Sequence, residues 1–169
     1  MNYYFAGSFS PPTYGHLDIV RRFLSSHDTG SLIIICSKNP NKDKNMFTPE
    51  QCVEMWQIYL ETLAPKYCYV RAFTLEKAMT KFTMTPPITV VRGLRNHEDM
   101  SGEADVVRIN SLVDQFLYIR GGKEYEDCSS TRAREAMSHD GIRKYLHPEV
   151  IKLCRKFLNL NEQREGQNE

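Results

Sequence analysis

The stretch Gly7-Ser8-Phe9-Ser10-Pro11-Pro12-Thr13-Tyr14-Gly15-His16 constrains this chain more than any other. Before it stands a short apolar run, Tyr3-Tyr4-Phe5-Ala6, which reads as a first strand. After it, Leu17, Ile19, Val20, Phe23 and Leu24 recur with the period of a helix. A strand, a turn rich in Gly and Pro, and a helix with a histidine in its first turn make a seat for phosphate. The first N–H groups of a helix lack partners, and its dipole is positive at that end. A lone histidine at a helix start is ordinarily a surface residue or a cap partner. Here Gly15 lets a ligand approach the backbone and Thr13 offers a hydroxyl within one turn. An imidazole in that setting can donate to an α-phosphate oxygen as charge builds on it.

The rest of the chain repeats the alternation of strand and helix. Ser31-Leu32-Ile33-Ile34-Ile35-Cys36 is short and continuously apolar, as a strand buried on both faces should be. Thr48-Pro49-Glu50-Gln51 predicts a helix start, with Thr as cap, Pro first and Gln three after the cap. Further strands are expected at Cys68-Tyr69-Val70-Arg71, Ile88-Thr89-Val90-Val91 and Gln115-Phe116-Leu117-Tyr118-Ile119, the last ending in Gly121-Gly122. Helices are expected at about 75–82 and 98–112, at 129–137, and from Pro148 through Leu158. This pattern predicts parallel βαβ units: a single-domain, Rossmann-like α/β fold with a five-stranded parallel sheet flanked by helices. The domain spans 1–160, and the polar residues 161–169 read as a disordered tail. The ligand crevice of such a sheet lies beyond the carboxyl ends of its strands.

Three more polar motifs fall at those ends. Lys38-Asn39-Pro40-Asn41-Lys42-Asp43-Lys44 follows the second strand. A mixed-charge loop is usually solvated surface, yet one lysine here can hold a phosphate as a point charge. Charge pattern alone does not choose among the three. Arg92-Gly93-Leu94-Arg95 closes the fourth strand with two guanidinium forks that match phosphate oxygens, or that pair with acids elsewhere. Cys128-Ser129-Ser130-Thr131-Arg132-Ala133-Arg134-Glu135 is a helix cap whose hydroxyls and N–H groups also suit the phosphates of a nucleotide.

Composition removes several classes. Lys and Arg total 22 and Asp and Glu 21, a formal net charge of +1, which argues against a general nucleic-acid surface. A small anionic substrate needs only a few basic groups in one cleft. The five scattered cysteines include no C-x-x-C pair, so buried thiols in a reducing compartment are expected, with no protein-bound metal. No secretory signal or membrane span is recognisable, and a soluble cytoplasmic protein is the expectation. A P-loop, G-x-G-x-x-G, zinc-ligand spacing and a G-x-S-x-G nucleophile turn are all missing.

The first motif resembles the G-x-F-x-P-x-[TH]-x-G-H signature of the nucleotidyltransferase superfamily. Over roughly residues 3–158 the chain resembles the phosphopantetheine adenylyltransferase family within it. Three segments carry the likeness: Thr13-Tyr14-Gly15-His16; Asn39-Pro40-Asn41-Lys42 followed by Phe47-Thr48-Pro49-Glu50; and Arg92-Gly93-Leu94-Arg95 with Asp99 and Glu103. The resemblance implies adenylyl transfer from ATP to 4′-phosphopantetheine, Mg²⁺ carried in with ATP, and a homohexamer. It implies that His16 stabilises the α-phosphate in the transition state, that Lys42 and Arg92 hold the acceptor phosphate, and that Ser8 contacts both substrates. Phe9, Gly93, Leu94, Arg95 and Glu103 would contact ATP, with Ser129, Ser130 and Thr131 around its phosphates. Departures from the pattern are Ser10 for an aspartate, Met100-Ser101-Gly102, and Cys128 for an isoleucine. Ser129-Ser130-Thr131 with Arg134 is also similar to nicotinamide or nicotinate mononucleotide adenylyltransferases, the alternative reading. A nucleotide-binding relative without turnover is a third.

Overall fold

The structure, a computed structural model, describes residues 2–27, 31–38, 46–63, 69–82, 87–94 and 113–160. Strand β1 (Asn2–Gly7) leads into helix α1 (Tyr14–Ser26), then β2 (Ser31–Cys36) and α2 (Pro49–Glu61). Next come β3 (Val70–Thr74), α3 (Leu75–Lys81), β4 (Thr89–Leu94) and β5 (Gln115–Arg120). A 3-10 turn at Lys123–Tyr125 precedes α4 (Ser130–Glu135), and a second at Asp140–Lys144 precedes α5 (Pro148–Phe157). All five strands are parallel, in the order β3-β2-β1-β4-β5. This is the expected Rossmann-like sheet.

Alternate residues of each strand feed opposite faces, as the two-residue period of a strand requires. Phe5, Leu32, Ile34, Ala72 and Val91 point into the larger core, packed by Phe23 and Leu24 of α1, Trp56 and Tyr59 of α2 and Val150 and Cys154 of α5. Tyr4, Ile33, Ile35 and Val90 point the other way, against Ala78 of α3. The continuous apolar run of β2 is thereby explained, because both of its faces are covered.

Two strands run more than one residue past their expected limits. The third runs to Thr74 because it pairs with β2 to that strand's last residue, from Leu32↔Val70 to Cys36↔Thr74. Thr74 then caps α3, accepting from Lys77 N–H at 3.3 Å, so no loop separates strand from helix. The fourth includes Arg92, Gly93 and Leu94, beyond the expected end at Val91. Each is paired with β5, opposite Tyr118, Ile119 and Arg120, and ladder bonding outweighs the weak strand preference of Arg and Gly. Helix α4 ends at Glu135, two residues short of Met137. The expected helix at 98–112, the start of the third strand at Cys68 and the tail at 161–169 lie outside the described residues. Among the described residues no helix is long and apolar enough to cross a membrane.

The sheet splits where its order reverses. β1 stays paired with β2 to its last residue, Gly7↔Cys36, and β4 stays paired with β5 to Leu94↔Arg120. Between β1 and β4 the pairing covers only Tyr3↔Thr89 and Tyr4↔Val90. Beyond Tyr4 and Val90 the two strands part, and a crevice opens at their carboxyl ends.

Candidate active site

The loop from Ser8 to Thr13 leaves β1 at that crevice and turns sharply into α1. Its pivot is Phe9, whose φ of 44° lies in the left-handed region that a bulky residue avoids. That conformation costs about 1–2 kcal/mol. It is offset by sinking the Phe9 ring to 3% exposure, worth about 1.5–3 kcal/mol, against Phe5 and Trp56 (centroids 5.2 Å from each). The side chain expected to touch ATP is therefore a core residue, and only its backbone is left for a nucleotide.

The rest of the loop is held by its carbonyls, since two prolines cannot donate. Ser10 O accepts from Arg134 Nη1 at 2.8 Å, Pro11 O from the Ser130 hydroxyl at 2.7 Å, and Pro12 O from the Tyr59 hydroxyl at 3.0 Å. Ser10 Oγ, 1% exposed, accepts from Phe47 N–H at 2.9 Å. This serine, a departure from the motif pattern, thus supplies a buried acceptor that ties the loop to Phe47. Tyr14 N–H donates to Tyr145 O at 2.9 Å. The motif is clamped by α2, α4 and the segment before α5.

Thr13 caps α1 and is wholly buried. Its Oγ1 accepts from His16 N–H at 3.4 Å, while its own N–H donates to His16 Nδ1 at 2.9 Å. His16 is thus the cap partner of Thr13 at the start of α1. The edge of Phe9 meets its ring at 5.0 Å and 87°, and Trp56 lies 6.4 Å away. The first turn of α1 contains no acid, so the positive helix end is not neutralised from within.

The start of α4 lies against the start of α1. Gly15 N–H donates to Cys128 Sγ at 3.2 Å, and the Cys128 thiol reaches Tyr145 O at 3.6 Å. A β-carbon on Gly15 would sit 2.7 Å from Cys128 O, so the two helix starts approach this closely only because residue 15 has none. Ser129 Oγ caps α4 by accepting from Arg132 N–H at 3.1 Å. Ser130 spends its hydroxyl proton on Pro11, and Thr131 Oγ1 accepts from Arg134 Nη2 at 3.2 Å. Burial lowers the pKa of Arg134, whose fork is engaged in holding the loop.

Arg92 reaches across the gap in the sheet. Its Nη1 donates to Ala6 O at 3.0 Å, where β4 no longer supplies a strand partner. Gly93 brings β4 against α1: a β-carbon there would meet Ile19 Cγ1 at 2.7 Å. Ser8, half-buried, follows β1 at the same edge, and Leu94 ends β4. Lys42, Arg95, Asp99, Met100, Ser101, Gly102 and Glu103 lie outside the described residues. Lys38 is described and exposed. Among the described residues no group of three or more His, Cys, Asp or Glu side chains is placed to hold a metal ion. Tyr59 carries no sequence mark of its place beside the loop. Arg134 is marked only by the Ser-Ser-Thr-x-x-Arg run.

The cytidylyltransferase-like family model matches residues 4–136. The chain is 30% identical over 151 residues to a phosphopantetheine adenylyltransferase of Desulforamulus reducens, covering 87% of this chain and 89% of the relative. It is 32% identical over 151 residues to the phosphopantetheine adenylyltransferase of a Synechococcus species, covering 87% and 91%. Among solved structures, Plasmodium falciparum nicotinic acid mononucleotide adenylyltransferase complexed with NaAD aligns over 95% of this chain and 98% of its own, with a TM-score of 0.67 at 16% identity. At that identity the match speaks to the fold.

Proposed function

Because the chain belongs to the phosphopantetheine adenylyltransferases, and to the wider cytidylyltransferase-like family, we propose that it transfers the adenylyl group of ATP to 4′-phosphopantetheine. The products are dephospho-coenzyme A and pyrophosphate. One observation supports this site above others: the sheet opens between β1 and β4, and the phosphate-seating start of α1, the fork of Arg92 and the cap of α4 all border that opening.

The reaction is an in-line displacement. An oxygen of the acceptor phosphate bonds to the α-phosphorus of ATP as the bond to the β-phosphate oxygen breaks, and the electron pair leaves with pyrophosphate. A phosphate monoester is largely dianionic at neutral pH, so the nucleophile needs no strong base. Positioning and charge stabilisation remain for the protein to supply. His16 donates to the α-phosphate as charge develops, and Lys42 and Arg92 grip the acceptor phosphate. Ser8 stands between the two substrates. The backbone at Phe9, Gly93 and Leu94, with Arg95 and Glu103, receives ATP, and Ser129, Ser130 and Thr131 face its phosphates. The hydroxyl of Ser130 is spent on Pro11, which leaves its N–H and oxygen lone pairs for that task. The substrate is MgATP, its cation held by the triphosphate, and a site of imidazole, guanidinium and hydroxyl groups suits the anion.

A cytoplasmic setting suits the buried, undisulfided thiols of Cys36, Cys52, Cys128 and Cys154. The assembly we propose is a homohexamer, which light scattering checks. The decisive assay is pyrophosphate release from MgATP with phosphopantetheine and nicotinamide mononucleotide side by side. Release with phosphopantetheine alone is expected. Release with nicotinamide mononucleotide alone would replace the acceptor, and silence with both would remove the activity.

A further inference from the structure

Two helices of this chain open with the same device, and the contrast between them locates a proton. In α2, Thr48 Oγ1 accepts from Gln51 N–H at 3.2 Å, and Gln51 Oε1 accepts from Thr48 N–H at 2.9 Å. In α1, Thr13 stands for Thr48 and His16 for Gln51. The ring atom Nδ1 does the work of the amide oxygen, accepting Thr13 N–H at 2.9 Å. A backbone N–H can only donate, so the Nδ1 that faces it carries no proton. A neutral imidazole with bare Nδ1 keeps its one proton on Nε2, at the far corner of the ring.

We infer that Thr13 is a positioning residue that holds His16 as the neutral Nε2–H tautomer, so that the ring acts in adenylyl transfer as a hydrogen-bond donor and not as a general base. The catalytic half of this rests on the function proposed above; the tautomer does not. Thr13 is wholly buried and acts through His16. Its N–H cannot swing away, because the flanking groups are anchored: Pro12 O to Tyr59 and Tyr14 N–H to Tyr145 O. The Thr13 hydroxyl lies 3.1 Å from Nδ1, and Phe9 meets the ring from another side. A glutamate in the place of His16 would close the cap as well, but would set a negative charge where phosphate must come. Glutamine would close it with its acceptor and turn its donor group elsewhere. Histidine closes the cap with one corner and carries a donor at the other.

The tautomer is read by ¹⁵N NMR of the histidine rings in the labelled full chain near neutral pH, with the His16 signals assigned by their loss in His16→Gln. Protonated Nε2 and unprotonated Nδ1 are expected, and a proton on Nδ1 would overturn the inference. Thr13→Val keeps the side-chain shape and removes the hydroxyl, while Thr13→Ser keeps the hydroxyl. Valine keeps the backbone N–H but loses the Oγ1 contacts that hold the first turn of α1 and the ring against it. The ring is therefore expected to loosen, with mixed tautomers and a kcat lower by roughly 10- to 100-fold at little change in KM for ATP. The serine variant should match the wild type in both. A valine variant of lowered melting temperature but unchanged tautomer and kcat would make Thr13 a structural cap only. If the wild type releases no pyrophosphate with either acceptor, the functional reading fails, and the NMR spectrum alone decides the tautomer.

Discussion

Replacing Ser10 by alanine tests whether the departure from aspartate preserves the role of that position. The hydroxyl is 1% exposed and accepts from Phe47 N–H at 2.9 Å. It also bonds Cys52, a contact that partly offsets the burial that raises the pKa of that thiol. Alanine leaves a buried amide without its acceptor, at about 1–3 kcal/mol, and loses little apolar packing. Taking about 2 kcal/mol, and about 2–4 °C per kcal/mol for a chain of this size, the melting temperature should fall by about 4–8 °C. A domain of about 5–15 kcal/mol survives that loss, so the variant can be assayed. Phe47 follows Lys42 closely in sequence, and loosening it should raise KM for phosphopantetheine more than KM for ATP. Ser10→Asp keeps an acceptor for Phe47 and should lose less stability than alanine. The measurements are urea denaturation and initial rates with each substrate varied. Stability of Ser10→Ala within about 0.5 kcal/mol of wild type would refute the reasoning, because it is the change expected of an ordinary surface site.

Other perturbations separate the remaining roles. His16→Ala should lower kcat by about 10²–10³ with ATP binding nearly intact, as for loss of one transition-state donor; rapid quench and ATP titration check this. Lys42→Ala should act chiefly on phosphopantetheine, and an effect confined to ATP affinity would assign another lysine to the acceptor. Burial pushes the thiols of Cys52 and Cys154 up from 9.0 to about 12. The folded chain therefore keeps protons that the unfolded chain releases. The stability these thiols contribute is present below pH 9.0 and is lost as pH rises toward about 12. Burial pushes up Cys36 and Tyr59 as well, so urea midpoints should fall steeply in alkali. Alanine at Cys52 or at Cys154 should each lessen the slope by about 1.4 kcal/mol per pH unit.

What could be read from the sequence was whatever local chemistry writes. The Thr48-Pro49-Glu50-Gln51 start becomes the cap and first turn of α2, and the β2 run has its expected limits, because capping and two-sided burial each leave a local signature. The ends of β3 and β4 are set by what their neighbours require. Nothing in Arg92-Gly93-Leu94 reads as strand until β5 lies beside it. The same division holds in the site. His16 and its turn carry a recognisable motif, but the donors that fix the turn come from Tyr59, Ser130 and Arg134, far away in sequence. Those residues look like core, cap and surface until the fold brings them to three consecutive carbonyls. The serine in place of aspartate looked like a functional departure. In the structure it is a buried acceptor for Phe47 N–H.

The most direct test of the account is a crystal structure with Mg²⁺ and an ATP analogue that is not cleaved between the α- and β-phosphates. The account predicts the triphosphate in the crevice between β1 and β4, with an α-phosphate oxygen about 2.7–3.1 Å from His16 Nε2 and the phosphate chain at the start of α4. A nucleotide bound at another edge of the sheet, or a His16 ring turned from its phosphates, would contradict it.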